Sequence, residues 1–246
     1  MRPIAAAAAS ALLAASLVQV SPAAAGSAAA FNPLGFSGDG RYFAFEEFGV
    51  ADGSGFPFAS IYVIDLAEDR WAGAPVRVTL EDETAPVGSA RMEALAQAGP
   101  ALEARQLTAP ALTVALHGDG EPVGEGGSLT FGRPGYGLEG PQDLATLTLV
   151  ATLPPYVGPC VTEYGFDPPV GYRLVLSASA GETVLHDDES VPASRGCTVA
   201  YRLYGVFAPA GWGWNDAPAV VVLSVFTQGF EGPDRRFVAL PLPGHP

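Results

Sequence analysis

Glycine and proline are spread along the whole chain, and this spacing is the feature that most limits its possible folds. The sequence has 30 glycines and 23 prolines among 246 residues. Both residue types interrupt helices, and the segments between them are short and rich in aromatic and β-branched residues. We therefore predict a mainly β protein, built either as a β-sandwich or as incomplete propeller-like sheets, with one short helical insertion.

The pattern of apolar residues places the strands. Residues 60–66 are almost continuously apolar, which predicts a strand that is buried on both faces. Further strands are expected at residues 41–48, 75–80, 111–117, 128–131, 144–152, 172–177, 183–186, 198–207, 219–226 and 236–240.

One segment, residues 89–107, has the apolar spacing of a helix. Ser89 is expected to cap its start, and Met92 and Leu95 are expected on its buried face. Pro100 falls inside this span and cannot donate a backbone hydrogen bond, so we expect a kink or two short helices.

Residues 1–25 have the three zones of a secretory signal peptide. Arg2 gives a positive start, residues 4–20 are apolar, and small residues follow. Cleavage is expected after Ala25, with Ala30 as the alternative. The apolar run is short and alanine-rich for a membrane anchor. We therefore expect a periplasmic or secreted protein with no membrane span once the signal is removed.

The remaining chain divides into three stretches. A β-hairpin plus helix unit is expected at residues 31–117, glycine-rich loops at 118–140, and a second β unit at 141–246. Each unit alone would have a thin core, so we expect the two to pack as one domain. The second unit contains Cys160 and Cys197, which should form a disulfide in an oxidising compartment.

The charge balance is strongly acidic. The chain has 12 basic residues, all of them arginine, against 26 acidic ones, and its net charge is −14. Such a chain is repelled by phosphate backbones and by anionic membrane surfaces. Nucleic acid is therefore excluded as an expected partner.

Two resemblances extend these observations. Residues 36–66 resemble a single blade segment of TolB-type β-propellers, but the segment occurs once and a propeller requires it to recur, so this resemblance implies a hairpin. The wider sequence resembles a bacterial family of predicted secreted proteins of unknown function, which implies export and supplies no activity. That second resemblance is carried by residues 35–48, 52–57, 61–66, 194–197 and 226–237.

No motif of a catalytic nucleophile and no metal-ligand spacing is present, so we predict neither a metal nor a cofactor. Glu46 and Glu47 are the candidate catalytic residues, because hydrolysis of a polymer can use carboxylates. As neighbours on one strand they must point to opposite faces. The alternative is that Arg41 or Arg173 forms a salt bridge with one of them.

Two further clusters are candidate binding residues. Trp212 and Trp214 are flanked by glycines and could present flat apolar rings to sugars or peptides, or the loop could fold back and cap a sheet edge. Arg235 and Arg236 could form a local salt-bridged turn with nearby acidic residues, or could bind a carboxylate or phosphate.

These observations favour a non-catalytic binding or interaction module of the cell envelope, whose partner is an envelope protein or a saccharide. The alternative is a hydrolase that acts on an envelope polymer. An enzyme requires a cleft in which ionisable groups with shifted pKa values converge, whereas a binding module requires an exposed aromatic or apolar patch.

Overall fold

A computed structural model describes residues 26–120, 127–135, 140–212 and 218–243. In these residues the chain forms three antiparallel β-sheets, which confirms the mainly β prediction. The helices are α1 (Val87–Ala104), α2 (Pro159–Thr162) and a single-turn 3-10 helix at Ala193–Arg195. The strands are β1 (Ala30–Ser37), β2 (Tyr42–Val50), β3 (Pro57–Asp65), β4 (Arg70–Trp71), β5 (Val76–Thr79), β6 (Leu107–Ala109), β7 (Ala111–Leu116), β8 (Ser128–Arg133), β9 (Gln142–Thr152), β10 (Gly171–Ala178), β11 (Gly181–Asp187), β12 (Thr198–Pro209), β13 (Ala219–Thr227) and β14 (Asp234–Leu242).

The strands pair mostly with their neighbours in sequence. The first sheet has the order β4-β3-β2-β1-β6, with β5 also paired to β3. The second sheet has the order β11-β10-β9-β8, and the third has the order β14-β13-β12-β7. Strand β7 comes from the first predicted unit and pairs with β12 of the second, so the two units share a sheet.

The third sheet lies between the other two. Its strand β13 sends alternate side chains to opposite faces, as the pleat requires. On one face Val220 packs in a cluster with Phe43 of the first sheet. On the other face Val221 packs in a cluster with Leu147 of the second sheet. This position explains why seven consecutive residues of β13 are buried.

Helix α1 covers the outer face of the first sheet. Its buried residues are Ala90, Ala94 and Ala98, which recur about once per turn and pack with Ala59 and Ile61 of β3. Alanine has a small side chain, so the helix backbone can approach the sheet closely.

The predicted details of this helix were partly wrong. Met92 and Leu95 are exposed, because the close contact with the sheet selects the alanine face instead. The helix begins after Pro86 and has no side-chain cap, so Ser89 does not cap it. It continues through Pro100 as one helix. Pro100 and Ala96 are both exposed, so the carbonyl that loses its partner is on the solvent side.

Strand β1 was not predicted, because Pro33 and Gly35 interrupt its pattern. Pro33 lies in the part of β1 that pairs with β2 alone, since β6 pairs only at Phe36 and Ser37. A proline is tolerated at such an edge because no neighbouring strand needs its missing N–H group. The register shifts between Pro33 and Gly35.

Two further predictions concern the disulfide and the membrane. Cys160 of α2 and Cys197, just before β12, form the predicted disulfide. Among the described helices, none is long and apolar enough to span a membrane.

Candidate functional site

Glu46 and Glu47 lie side by side on β2 and point to opposite faces of the first sheet. Glu46 is on the face covered by α1, and Glu47 is on the face that meets the third sheet. Their exposed fractions are 0% and 1%, so both carboxylates are removed from water. Burying a charge costs free energy unless nearby groups compensate it, and the two residues differ in how this is done.

Glu46 is compensated by a close ion pair. The Arg91 guanidinium on α1 donates from Nε at 3.0 Å and from Nη2 at 2.8 Å, one bond to each carboxylate oxygen. The Asn32 amide donates a third bond at 3.1 Å. Glu46 therefore joins the helix to the sheet.

The predicted partners of the glutamates were wrong. Arg41 forms its salt bridge with Asp65, and Arg173 forms its salt bridge with Asp187. Both arginines pair with a residue on a neighbouring strand. Arg91 was missed as a partner because its contact with Glu46 depends on how the helix docks.

Glu47 is held by weaker partners. The Tyr62 hydroxyl donates to Oε1 at 2.8 Å, and the backbone N–H of Phe237 donates to Oε2 at 3.2 Å. Arg236 places its Nε 3.8 Å from Oε1. Burial raises the pKa of Glu47, and these three neighbours only partly oppose that effect. Burial also raises the pKa of Tyr62 to about 12.

Glu47 lines a cavity of about 800 Å³ between the first and third sheets. A volume of this size is in the range of small-molecule sites. Aromatic side chains form much of its wall, and the segment between β11 and β12 closes the far end. The aromatic lining residues are Phe45, Phe58, Tyr62, Trp71 and Phe237.

The strand register explains how polar groups reach the cavity wall. Glu47 on β2 is opposite Ser60 on β3, and Ser60 is opposite Arg77 on β5. Residues directly opposite each other share a face, so all three face the cavity. The Arg77 guanidinium lies 5.8 Å from the centre of the Tyr62 ring and 5.9 Å from that of Trp71.

The far end of the cavity contains a second polar cluster. Arg195 donates from Nη1 to Asp188 at 2.7 Å, and His186 Nε2 lies 2.8 Å from the other oxygen of Asp188. Burial would raise the pKa of Asp188, but the hydrogen bonds from Arg195 and His186 hold it below its ordinary value. Arg195 also lies 4.9 Å from the centre of the Tyr172 ring.

Asp69 is at the rim of the cavity, in the turn between β3 and β4. By surface area the residue is exposed, yet the surrounding protein desolvates its carboxyl group enough to raise its pKa. The cavity is thus lined by two carboxyl groups, those of Glu47 and Asp69, whose pKa values are both raised.

Trp212 does not have the exposed position that was predicted for it. Trp212 has an exposed fraction of 1% and belongs to the core between the second and third sheets, with its ring 6.4 Å from that of Phe131. The prediction of an exposed indole was therefore wrong for Trp212, because its large ring completes this core. Trp214 lies outside the described residues.

Arg235 and Arg236 have different surroundings, although they are neighbours. Arg235 donates to both oxygens of Asp119 at 2.6 and 2.9 Å, and to the carbonyl oxygen of Ala29 at 2.9 and 2.7 Å. Asp234 accepts instead from the backbone N–H of Ser27 at 2.7 Å. The predicted local salt-bridged turn was therefore wrong, because the side chains of Arg235 and Asp234 bind segments that are distant in sequence. Arg236 lines the cavity.

Sequence reasoning missed most of the residues that line the cavity. Tyr62, Arg77 and Trp71 belong to strands whose pairing the sequence does not specify, and Arg195 ends a short 3-10 helix between β11 and β12. The alternation of β5 could have placed Arg77 on one face of that strand. It could not have identified Ser60 and Glu47 as the neighbours across the sheet.

Comparison with known proteins places this architecture in a family. A family model described as "Predicted secreted protein (DUF2259)" matches residues 44–242. The match includes both glutamates, the cavity wall and both cysteines. No curated protein and no solved structure matches the chain. The resemblance of residues 36–66 to a TolB-type blade is not confirmed.

Proposed function

The chain belongs to this family of predicted secreted proteins, and from that premise we propose that it is a non-catalytic binding module of the cell envelope. Its ligand occupies the cavity between the first and third sheets. The observation that supports this function is the cavity itself, which is about 800 Å³ in volume and is lined by aromatic rings and by the buried carboxyl of Glu47.

The polar groups on the cavity wall support binding over a purely structural role. A buried carboxyl that serves stability alone is expected to have a close cation, as Glu46 has in Arg91. Glu47 instead has its nearest guanidinium nitrogen at 3.8 Å. Ligand sites combine an apolar wall with a few converging polar groups of this kind.

A ligand search with a cavity-filling variant tests this proposal. Purified mature protein is mixed with a low-molecular-weight extract of the source cells, and its thermal unfolding midpoint is measured. We expect the midpoint to rise, since a ligand that binds only the folded state stabilises it. Ser60→Leu places a larger side chain on the cavity floor and should abolish the rise. Thr183→Leu, on exposed β11, is the matched control. An equal rise in the Ser60→Leu variant would contradict the proposal.

A second candidate function is hydrolysis of an envelope polymer. Two carboxyl groups with raised pKa values, those of Glu47 and Asp69, line one cavity, and such convergence is typical of catalytic sites. Glu46 has no place in this scheme, because Arg91 and Asn32 occupy its oxygens on the other face.

The hydrolase candidate has a direct test. Wild-type protein is incubated with peptidoglycan and envelope polysaccharides, and released fragments are measured by mass spectrometry. The scheme requires activity in the wild type and a loss of at least about 100-fold in Glu47→Gln, as for removal of a general acid or base. Absence of fragments with every polymer would exclude it and would leave the binding function intact.

A further inference from the structure

The cavity contrasts in charge with the rest of the chain. Over the whole sequence acidic residues outnumber basic ones, 26 to 12. Among the residues that line the cavity the order is reversed, with four arginines and two acids. The arginines are Arg70, Arg77, Arg195 and Arg236, and the acids are Glu47 and Asp69. One third of the arginines of a strongly acidic protein thus surround a single cavity.

We infer that the ligand of this cavity is a small organic carboxylate that carries a flat aromatic ring. This inference rests on the proposed binding function and names the chemical class of its ligand. Its carboxylate is bound by Arg77 and Arg236, which line the cavity from the first and third sheets respectively. Its ring packs against the aromatic wall.

Arg77 is the guanidinium best placed for an incoming anion. Among the residues that the structure describes, no carboxylate lies within 4.0 Å of it, whereas Arg195 is paired with Asp188. Two aromatic rings position Arg77, those of Tyr62 and Trp71. Such contacts leave the planar edge of a guanidinium able to donate two parallel bonds to one carboxylate.

Arg236 supplies the second positive charge. It lies 4.6 Å from the centre of the Phe58 ring, and its Nη1 donates to the carbonyl oxygen of Arg235 at 3.0 Å. Because Glu47 is 3.8 Å away, this guanidinium retains donors that a ligand carboxylate can accept from.

Glu47 does not prevent an anion from binding. Each of its oxygens already accepts a hydrogen bond, one from the Tyr62 hydroxyl and one from the Phe237 N–H. These donors hold the carboxyl group against the cavity wall. Burial also favours its neutral form, which reduces the repulsion that a ligand carboxylate would meet.

The aromatic wall explains the ring of the ligand. Trp71 is 45% exposed and lies at the cavity, 5.8 Å from the Tyr62 ring. An exposed indole next to other rings offers a flat apolar surface on which an aromatic ligand can stack. Inorganic phosphate or sulfate would use the arginines but would leave this surface uncovered.

Titration calorimetry with matched probes tests the inference. The probes are 2-naphthoate, its uncharged counterpart 2-naphthamide, and inorganic phosphate. We expect 2-naphthoate to bind and 2-naphthamide to bind at least about 10-fold more weakly, since the neutral amide cannot form a charge-assisted pair with a guanidinium. Arg77→Gln and Arg236→Gln should each weaken 2-naphthoate by at least about 10-fold. Arg133→Gln, a change on β8 away from the cavity, should leave its affinity unchanged.

Each of the other possible results would overturn one defined part of the inference. Equal binding of 2-naphthoate and 2-naphthamide would overturn the inference that the ligand is an anion, although the cavity would still be a binding site. If phosphate binds and 2-naphthoate does not, the inference that the ligand is an organic carboxylate is overturned. No binding by any probe would overturn the ligand class, and the separate extract experiment would still decide the proposed function. Arg77 is exposed, so Arg77→Gln is informative even if Arg236→Gln does not fold.

Discussion

Two neighbouring glutamates lie on opposite faces of strand β2 and have different partners. On the helix face, Glu46 is enclosed by α1 and bonded by Arg91 at 2.8 and 3.0 Å. On the cavity face, Glu47 is equally buried, but it has a tyrosine, a backbone amide and a guanidinium at 3.8 Å as its partners. The comparison shows that burial alone does not separate the two carboxyl groups. The distance to the compensating cation does.

The largest expected effect tests the helix face. Arg91→Ala leaves the Glu46 carboxylate buried, with Asn32 as its remaining side-chain donor among the described residues, and should cost about 3–5 kcal/mol of unfolding free energy. Arg173→Ala is the matched control, since it breaks an ion pair in which both side chains are 47% exposed, and should cost less than about 1 kcal/mol. Urea denaturation at neutral pH measures both. Equal losses would show that Glu46 is not held as described.

Close packing should also differ between the faces. Ala94→Leu inserts a large side chain between α1 and the first sheet, where Ala94 is fully buried, and should destabilise by about 1–3 kcal/mol. Ser60→Leu adds a similar volume on the cavity face and should change the free energy of unfolding by less than about 1 kcal/mol. The same denaturation assay compares them. A larger loss in Ser60→Leu would contradict an open volume beside Glu47.

The pH dependence of stability should carry the signature of Glu47. Burial raises its pKa in the folded state, so the folded protein binds more protons than the unfolded chain between the two pKa values. This contribution to stability is therefore present below the unfolded pKa and is lost as the pH rises through the folded pKa. Tyr62, Arg77 and Arg236 face the same carboxyl and reduce the effect.

Glu47→Gln removes this titration. Its stability relative to the wild type should increase as the pH rises above about 4.3, the ordinary pKa of a glutamate, measured by denaturant unfolding at each pH. Glu182→Gln, on exposed β11, serves as the control for removing one negative charge. If the unfolding free energies of the two variants depend on pH in the same way, burial does not raise the pKa of Glu47.

The smallest expected effect on stability tests the cavity face again. Arg77→Gln removes an exposed guanidinium that has no carboxylate partner among the described residues, so the unfolding free energy should change by less than about 0.5 kcal/mol. The same substitution is expected to weaken binding of 2-naphthoate. A loss of stability comparable to that of Arg91→Ala would mean that Arg77 is structural, as Arg91 is.

Much of the local structure could be predicted from the sequence. The strands at residues 60–66 and 198–207 follow from their apolar and β-branched composition, and the Cys160–Cys197 disulfide follows from two cysteines in a chain that is expected to be exported. The site could be predicted only in part. Glu47 was predicted as a candidate site residue, but the sequence favoured its neighbour Glu46 equally. Trp212 was predicted to be exposed, and its place in the core excludes that position.

The sequence by itself determined that Glu46 and Glu47 point in opposite directions, because the alternation of a strand is a property of its own backbone. Only the tertiary structure decided which of them meets a helix and which meets a cavity. Arg91 and Arg236 reach the two carboxyl groups from separate elements, and Arg77 lies opposite Ser60 on the wall that Glu47 shares. Their positions depend on how α1 docks, on how β5 pairs and on how the third sheet packs. These contacts join residues far apart in the chain, so no local pattern specifies them.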